Sequence, residues 1–456
     1  MMTGRMAGSA SISAVIAAAI GGLLFGFDTA VIAGVTHALS DAFALSVTGL
    51  GAAVSAALIG TLIGALGAGK PGDRLGSRTV LIWIAIAYGV SALGCALSTN
   101  LPMFIAFRLL SGLAIGGTSV LAPVYIAEIS PADRRGRLVG AFQLSIVIGI
   151  LAAYVSNALI GAVIDIPDIW RVKLGVAMIP AILFLAMLLR IPDSPRWLVQ
   201  QGRIDAARRA IGRLAMGNAD ALIARFATAR AASGPARLSW RAHRTPILLA
   251  LAIAAFNQLS GINAILYYLG DIFAMAGFSA LSADLQSVAI GIANLVATLI
   301  GMAMIDRVGR RPLLLAGAAG TAIALAGVAT IYTTGRGEML LLPVLIGFIL
   351  FFAVSQGAVI WVYLSEIFPT AVRARGQSLG SAAHWALNAL IAFGFPVVAQ
   401  GSRALPFWFF AVAMLVQFVI VWRYFPETRG LSLEDELSPL TGASQHGKPT
   451  HDDDPR

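Results

Sequence analysis

The sequence has little charge and almost no cysteine. Only 12% of its 456 residues are charged, about half of the share in soluble proteins, so roughly three soluble domains of ordinary size would lack the polar surface that water requires. The single cysteine, Cys95, excludes an intramolecular disulfide framework and a cysteine-based zinc site. No short apolar stretch with a small-residue cleavage site precedes the first long hydrophobic run, so we expect no cleaved signal peptide.

Apolar residues make up 58% of the chain, and they fall into twelve segments long enough to cross about 30 Å of hydrocarbon as helices. A backbone in lipid must satisfy its hydrogen bonds internally, so all twelve are predicted to be helical. We call them spans 1 to 12 and predict them near residues 12–36, 47–69, 79–97, 101–122, 138–160, 172–190, 246–269, 285–305, 313–333, 340–364, 377–400 and 405–424. The predicted fold class is an all-α integral membrane protein with twelve transmembrane helices.

Basic residues are concentrated on one side of the predicted membrane, the side of both termini. Besides a dense run within 190–244, this side carries Lys70, Arg74, Arg78, Arg134, Arg135, Arg137, Arg307, Arg310, Arg311, Arg373 and Arg375. The opposite side carries only Arg171, Lys173, Arg336 and Arg403. The positive-inside rule therefore predicts that both termini lie in the cytoplasm. We expect a multi-pass protein of the inner (cytoplasmic) membrane. The net charge of +10 is thus mainly a topology signal, and we expect no nucleic-acid partner.

One long hydrophilic stretch divides the spans six and six. We predict an N-terminal six-helix bundle at 1–190, a cytoplasmic linker with short amphipathic helices at 191–244 and a C-terminal six-helix bundle at 245–425. The tail at 426–456 is predicted to be cytoplasmic and partly disordered.

The two halves repeat a signature. Residues 73–78 (DRLGSR) after span 2 recur as 306–311 (DRVGRR) after span 8, and residues 125–131 (YIAEISP) closing span 4 recur as 363–369 (YLSEIFP) closing span 10. Two matches in the same order and at nearly equal spacing indicate a duplicated unit. The sequence therefore predicts two parallel six-helix repeats with a substrate site at their interface.

Charges in the repeated motifs are suited to cross-link helix ends. Glu128, for example, lies close in sequence to Arg134 and Arg135. We predict that such cytoplasmic ion pairs stabilise the outward-open state and break when the inside opens. The predicted gating residues of this kind are Asp73, Arg74, Arg78, Glu128, Arg134, Arg135, Asp306, Arg307, Arg310, Glu366, Arg373 and Arg375. The alternative is that they only anchor helix ends at the membrane interface.

Four further motifs are residues 26–34 (GFDTAVIAG), 192–198 (PDSPRWL), 257–263 (NQLSGIN) followed by Tyr267 and Tyr268, and 426–430 (PETRG). Together they resemble the sugar porter family of the major facilitator superfamily. Asp193 stands where Glu is usual in the family, and Arg429 stands where Lys is common. The resemblance covers nearly the whole membrane region and implies the major facilitator fold. We place Tyr267 and Tyr268 in an outer gate, with core packing as the alternative.

Asp28 in span 1 and Arg108 in span 4 are the only formal charges predicted to lie well away from both interfaces. An ionisable side chain at that depth is by default a functional hypothesis. Burial favours the neutral form of a carboxyl group, whereas a neighbouring guanidinium favours the ionised form. A rearrangement that moves Arg108 relative to Asp28 would therefore load or release a proton. The resemblance implies the same role, since Asp here is typical of proton-coupled members; the alternative is a static salt bridge.

A sugar presents hydroxyls and apolar ring faces, which amide side chains and aromatic rings are suited to contact. Such side chains occur at midspan depths, and we predict that together they bind substrate: Gln143, Asn257, Gln258, Asn263, Asn294, Trp361, His384, Trp385 and Asn388. The alternative for any single amide is an interhelical hydrogen bond. A break at Ser260-Gly261 would let span 7 bend over the substrate.

The resemblance implies sugar contacts for most of this set: Gln143, Gln258, Asn263, Asn294, Trp361, Trp385 and Asn388. Three positions depart from the family pattern, because Asn257 and His384 stand where Gln is usual and Ile150 stands where well-known members have a second span 5 Gln. We therefore expect a selectivity different from that for xylose or glucose, such as for another hexose or pentose, a deoxy sugar or a polyol. For His384 we favour a neutral hydrogen-bonding role over a second proton site.

The predicted function is import of a monosaccharide together with a proton, by alternating access. The alternatives are a facilitative sugar or polyol uniporter and a transport-inactive sugar sensor. An enzyme is not expected, because no metal cluster or nucleophile–base pair occurs within the spans. We expect no cofactor and no metal. The expected partners are a monosaccharide or polyol, protons and membrane lipids, and the protein is predicted to be a monomer.

Overall fold

The computed structural model of the protein describes residues 9–131, 134–231, 238–369 and 372–429, and this part of the chain is helical and contains no strands. The twelve spans are Ser11–Gly34, Val47–Gly67, Ser77–Ala96, Leu101–Ile129, Leu138–Val163, Ile169–Arg190, Trp240–Tyr267, Ala280–Ile305, Arg310–Thr334, Glu338–Glu366, Arg375–Gly401 and Leu405–Tyr424. The predicted fold class is confirmed, and each span lies where its hydrophobic segment was predicted. The predicted tail lies outside the described residues after 429.

Because the chain crosses an even number of times, its described ends and the stretch between spans 6 and 7 share one side of the bundle. We call this the linker side and the opposite side the far side. The linker contains three short helices, Pro195–Gln200, Ile204–Leu214 and Ala219–Ala231. They bury a small apolar cluster of their own that includes Trp197 and Ala207, so the linker is packed as a unit.

Small residues allow close contacts between spans. A Cβ atom at Gly26 in span 1 would collide with the carbonyl of Ile146 in span 5, and one at Gly112 in span 4 would collide with that of Ala57 in span 2. Glycine at these positions lets the backbones approach, as is common where membrane helices pack. The halves meet mainly where span 2 packs against span 11 and span 5 packs against span 8.

The duplication predicted from sequence is visible in the backbone. Gly76 after span 2 and Gly309 after span 8 both have positive φ, at 86° and 101°, a conformation in which a side chain is strained. Tyr125 and Tyr363, which close spans 4 and 10, donate hydrogen bonds to the carbonyls of Pro192 and Pro426. The same local construction therefore ends each half on the linker side.

Span 7 is interrupted as predicted at Ser260-Gly261. Its first helix ends at Leu259, Gly261 has a φ of 77°, and a second helix runs over Ile262–Tyr267. Gly261 packs directly on the ring of Phe410, so its positive φ and its missing side chain are both required. The segment after the break contacts the first half, where Tyr154 of span 5 donates to the carbonyl of Leu266 at 3.0 Å.

Candidate functional site

Asp28 and Arg108 form an ion pair in the interior of the N-terminal half. Arg108 Nη1 donates to Asp28 Oδ1 at 2.8 Å, and Tyr88 Oη donates to the same oxygen at 3.5 Å. Only 7% of Asp28 and 4% of Arg108 is exposed. The pairing predicted from sequence thus exists as a direct contact, and Tyr88 joins it as a third member that was not predicted.

Two small cavities flank this pair. One is lined by Asp28, Arg108 and, from the second half, Tyr267; the other by Asp28, Arg108 and Cys95. The Nε of Arg108 is buried and has no hydrogen-bond partner within the described part of the chain. This N–H group can therefore donate a further hydrogen bond, and both cavities border the guanidinium.

The polar residues of span 7 form one connected network in the second half. Asn263 Nδ2 donates to Gln258 Oε1 at 3.0 Å, and Gln258 Nε2 donates to Asn257 Oδ1 at 3.2 Å. Gln258 Nε2 also lies 3.0 Å from His384 Nε2 in span 11. Four of the predicted substrate-binding residues are thus already within hydrogen-bond distance of one another.

Aromatic rings surround this network. The ring of His384 lies 5.2 Å from that of Trp361 and 5.0 Å from that of Trp385, measured between centroids. The ring of Trp385 in turn lies 5.3 Å from Phe25, which is three residues before Asp28 in span 1. Amides and aromatic faces therefore converge next to the half that carries the ion pair, an arrangement suited to a polyhydroxylated ring.

Tyr267 links the two groups of residues. Asn388 Nδ2 donates to Tyr267 Oη at 3.2 Å, and Tyr267 also lines the cavity beside Asp28 and Arg108. Its neighbour Tyr268 is equally buried and donates to the carbonyl of Ala392 at 2.9 Å. The structure thus places both tyrosines in the packed interior on the far-side half of span 7.

Gln143 and Asn294 lie on spans 5 and 8, which pack against each other across the boundary between the halves. Gln143 is half-buried and Asn294 is 7% exposed. The described contacts do not join them to the network around Gln258. They are placed at the interface between the halves, but not within that network.

On the linker side of the second half, Arg310 and Glu366 make a two-point ion pair. Arg310 Nη2 and Nε lie 2.7 Å and 3.1 Å from the two oxygens of Glu366, a geometry that gives strong, oriented bonds. Glu427 accepts from the backbone N–H groups of Arg310 and Arg311 at 2.9 Å and 3.0 Å. These contacts hold the ends of spans 8, 9, 10 and 12 together.

The pKa of the Glu427 carboxyl is lowered from its ordinary value. Partial burial raises the pKa, but the hydrogen bonds from four backbone N–H groups, those of Arg310, Arg429, Arg311 and Thr428, lower it by more. The carboxylate therefore acts in its ionised form.

The corresponding cluster of the first half is looser. Arg78 Nη1 lies 3.6 Å from Asp193 Oδ1. Glu128 accepts a hydrogen bond from Ser194 and has Arg196 as a nearby positive charge, so two of its neighbours come from the segment after span 6. The predicted contact of Glu128 with Arg134 and Arg135 stays a prediction.

The remaining predicted gating residues lie at the linker-side surface. Asp73 is exposed, and its carbonyl accepts from Trp197 Nε1 at 2.9 Å; Arg373 Nε donates to the carbonyl of Phe368 at 3.4 Å. The other exposed members of the set are Arg74, Arg134, Arg307 and Arg375. The side chains of Arg135 and Asp306 lie outside what the structure describes.

A second buried ion pair escaped the sequence analysis. Lys173 Nζ lies 2.9 Å from Asp284 Oδ2, near the far-side ends of spans 6 and 8. The available signal was that Lys173 falls just inside a predicted span, but a lysine so close to a span end indicates topology as readily as pairing.

Twelve spans in two similar bundles, with a buried charged pair in one half and a network of amides in the other, define a membrane transporter. The structure matches that of the xylose transporter XylE from E. coli in a partially occluded inward open conformation, with a TM-score of 0.84 and 32% identity over 93% of this chain and 100% of the other. The fold is therefore the major facilitator fold.

Relatives in sequence agree with the structural match. The D-xylose-proton symporter of Escherichia coli is 33% identical over 93% of this chain and 94% of its own. The major myo-inositol transporter IolT of Bacillus subtilis is 33% identical over 92% of each. The profile of the family described as sugar (and other) transporter matches residues 14–436. The chain belongs to this family, and it is a multi-pass membrane transporter rather than an enzyme.

Proposed function

We propose that this protein is a secondary active transporter that imports a monosaccharide together with a proton by alternating access. It works as a monomer in the inner membrane of a bacterial cell, with both termini and the linker in the cytoplasm. The linker side is then the cytoplasmic side, and the far side is the outer one. The concentration of basic residues on the linker side supports this orientation.

The observation that carries the proposal is the buried Asp28–Arg108 pair beside the amide network. Burying a charged pair so far from water costs free energy. A contact that only packed two helices together could be made by apolar side chains without this cost. Protonation of Asp28 removes the attraction that holds Arg108, and the two cavities beside the pair, each about 10 Å³, have room for about one water to solvate the separating groups. Proton binding thus changes the packing of span 1 against span 4.

Tyr267 provides the physical connection between proton and substrate. It lines the cavity at the ion pair and accepts a hydrogen bond from Asn388, so a substrate that recruits Asn388 alters the contact facing Asp28. Substrate and proton then each bias the same boundary between the halves, which is the requirement for coupled transport.

The substrate proposed is a monosaccharide or a closely related polyol. Gln258, Asn263 and His384 supply donors and acceptors, while Trp361 and Trp385 supply flat apolar faces. The named relatives transport xylose and myo-inositol, both compact rings with several hydroxyls. The hydrogen bonds among the pocket side chains must be exchanged for bonds to substrate hydroxyls, so a ligand that leaves one side chain unpaired loses about 1–3 kcal/mol.

The test is uptake by purified protein in liposomes with a panel of pentoses, hexoses and inositols, each measured with and without an inward proton gradient. We expect at least one member to accumulate above its external concentration only when the gradient is present. Protein-free liposomes and a proton ionophore are the controls. Equal, non-concentrative uptake under both conditions would contradict proton coupling, and absence of uptake across the panel would contradict the substrate class.

A facilitative uniporter for a sugar or polyol is the second candidate, and the likeness to a myo-inositol transporter favours including polyols in it. The two candidates differ in proton movement. Addition of substrate to a lightly buffered suspension of proteoliposomes raises the external pH if each substrate enters with a proton, and leaves it unchanged for a uniporter.

A further inference from the structure

Lys173 and Asp284 join the two halves of the protein through a buried ion pair on the far side. Lys173 Nζ lies 2.9 Å from Asp284 Oδ2, and the side chains are only 7% and 11% exposed. Lys173 belongs to span 6 of the first half and Asp284 to span 8 of the second. The contact therefore crosses the boundary along which the halves must move.

Two further segments of the first half complete the surroundings of this pair. Lys173 Nζ also donates to the carbonyl of Gly34, at the end of span 1, at 3.1 Å. A Cβ atom at Gly161, at the end of span 5, would lie 3.3 Å from Asp284 Oδ2, so any larger residue there would crowd the carboxylate. Asp284 is thus inserted from the second half into a site formed by three segments of the first.

Other far-side contacts also join the halves. Tyr154 Oη of span 5 donates to the carbonyl of Leu266 in span 7 at 3.0 Å, and Asp271 accepts a hydrogen bond from Thr36. By contrast, Arg78–Asp193 and Arg310–Glu366 on the linker side each join helices of the same half. The far side is thus held together by contacts between the halves, and Lys173–Asp284 is a buried charge pair among those described.

We infer that Lys173 and Asp284 form a far-side latch, a positioning pair that stabilises the conformation closed to the far side and separates before substrate enters from there. A buried charge that loses its partner raises the free energy of the protein. The pair therefore opposes any movement that separates Lys173 from Asp284 without admitting water. Full opening admits water, which solvates both charges and lowers this cost. The latch therefore closes firmly and remains reversible.

The inference rests on the proposed alternating-access function, but its test needs no substrate. In a Cys95→Ala background, Thr99→Cys and Arg336→Cys place spin labels at exposed far-side positions of opposite halves. Pulsed dipolar spectroscopy in lipid nanodiscs then measures the ratio of long to short inter-label distances. If the latch variants show no shift in distance, a transport assay still tests the proposed function. If no transport is detected, the distance measurement still tests the latch.

Lys173→Gln and Asp284→Asn are each expected to raise the ratio of far-side-open to far-side-closed molecules about tenfold, which corresponds to about 1.4 kcal/mol. The charge-reversed double variant, Lys173→Asp with Asp284→Lys, is expected to restore most of the closed population. Arg171→Gln is the matched control, because Arg171 is a far-side cation paired with Asp168 within the same half; its ratio should equal that of the parent.

Gly161→Ala keeps both charges and adds one carbon beside Asp284, so it tests the same contact if a charge-deleted chain fails to fold. It is expected to shift the ratio in the same direction by a smaller factor. Distance distributions equal to the parent in the single variants and in Gly161→Ala would overturn the latch. So would a shift in Arg171→Gln as large as that in Lys173→Gln, because any far-side charge would then have the same effect.

Discussion

The two halves of this transporter carry their charges at different depths. In the N-terminal half the Asp28–Arg108 pair lies in the interior, whereas the interior positions that face it from the C-terminal half are amides and aromatic rings such as Gln258 and Trp385. At the linker-side ends of the spans, by contrast, the tight charged pair is Arg310–Glu366, which belongs to the second half. In the proposed function, one duplicated scaffold thus holds a proton-binding half and a hydroxyl-binding half.

The difference at the linker side comes from one position of the repeated motif. Ser77 of the first half stands where Arg310 stands in the second, and Glu128 stands where Glu366 stands. Glu366 therefore has a guanidinium directly opposite it, while Glu128 accepts a hydrogen bond from Ser194 and lies near Arg196. The comparison indicates that the second half is the more rigidly tied of the two at this end.

Removing the charge of the first half's interior should have the largest effect. We expect Asp28→Asn to abolish accumulation of sugar against its gradient while exchange of sugar across the membrane remains measurable, because the amide no longer exchanges a proton but still occupies the site. The measurement is uptake and counterflow in proteoliposomes.

Asp41→Asn is the matched control, since Asp41 is an exposed far-side carboxylate that contacts His37; it should accumulate sugar like the parent. Undiminished accumulation by Asp28→Asn would dismiss the coupling role of this residue and leave the ion pair as a static contact.

The hydroxyl-binding half should respond in affinity rather than in coupling. Gln258→Ala removes the side chain that contacts Asn257, Asn263 and His384. We expect the apparent KM for substrate to rise by about tenfold to a hundredfold, the equivalent of about 1–3 kcal/mol for lost hydrogen bonds. The ratio of protons to sugar should stay that of the parent.

Gln201→Ala, which removes an exposed linker amide, is the control and should leave KM unchanged. A Gln258→Ala protein with the parent's KM but an altered proton ratio would reverse the division of labour between the halves.

The tight linker-side pair of the second half offers a test of rigidity. Arg310→Ser gives this half the residue that the first half has, and it leaves Glu366 without its buried partner, so we expect a loss of about 3 kcal/mol in stability. Thermal unfolding in detergent checks this against Arg307→Ser, which removes an exposed arginine of the same motif. An equal fall in Tm for both variants would mean that net charge, and not the pair, is responsible.

The spans and the central ion pair were predictable from the sequence for clear physical reasons. The bilayer fixes the length of an apolar helix, and two opposite charges at midspan depth have few partners other than each other. Gly261 was also informative, because a glycine among polar residues in a long span favours a break. These features depend on local composition and depth alone.

Contacts between distant segments were not predictable in the same way. Lys173 and Asp284 come from different halves, and each lies near a span end where charge normally reports orientation. Glu128 meets Ser194 and Arg196, which follow span 6 and lie far from it along the chain. In both cases the partner is set by how the bundles pack, which no short stretch of sequence encodes.

The smallest effect is expected at Glu427, where backbone N–H groups hold the pKa of the carboxyl below its ordinary value of 4.5. A carboxyl group with a lower pKa in the folded state stabilises that state fully above its unfolded pKa, and the stabilisation is lost as the pH falls through the folded pKa. Glu427→Gln should therefore lower the Tm slightly at pH 7, with the difference from the parent shrinking once the pH falls below about 4. A Tm difference that stays constant from pH 7 to pH 3 would assign the contribution of Glu427 to packing. The charge of Glu427 would then no longer count among the contacts that hold the second half more tightly than the first.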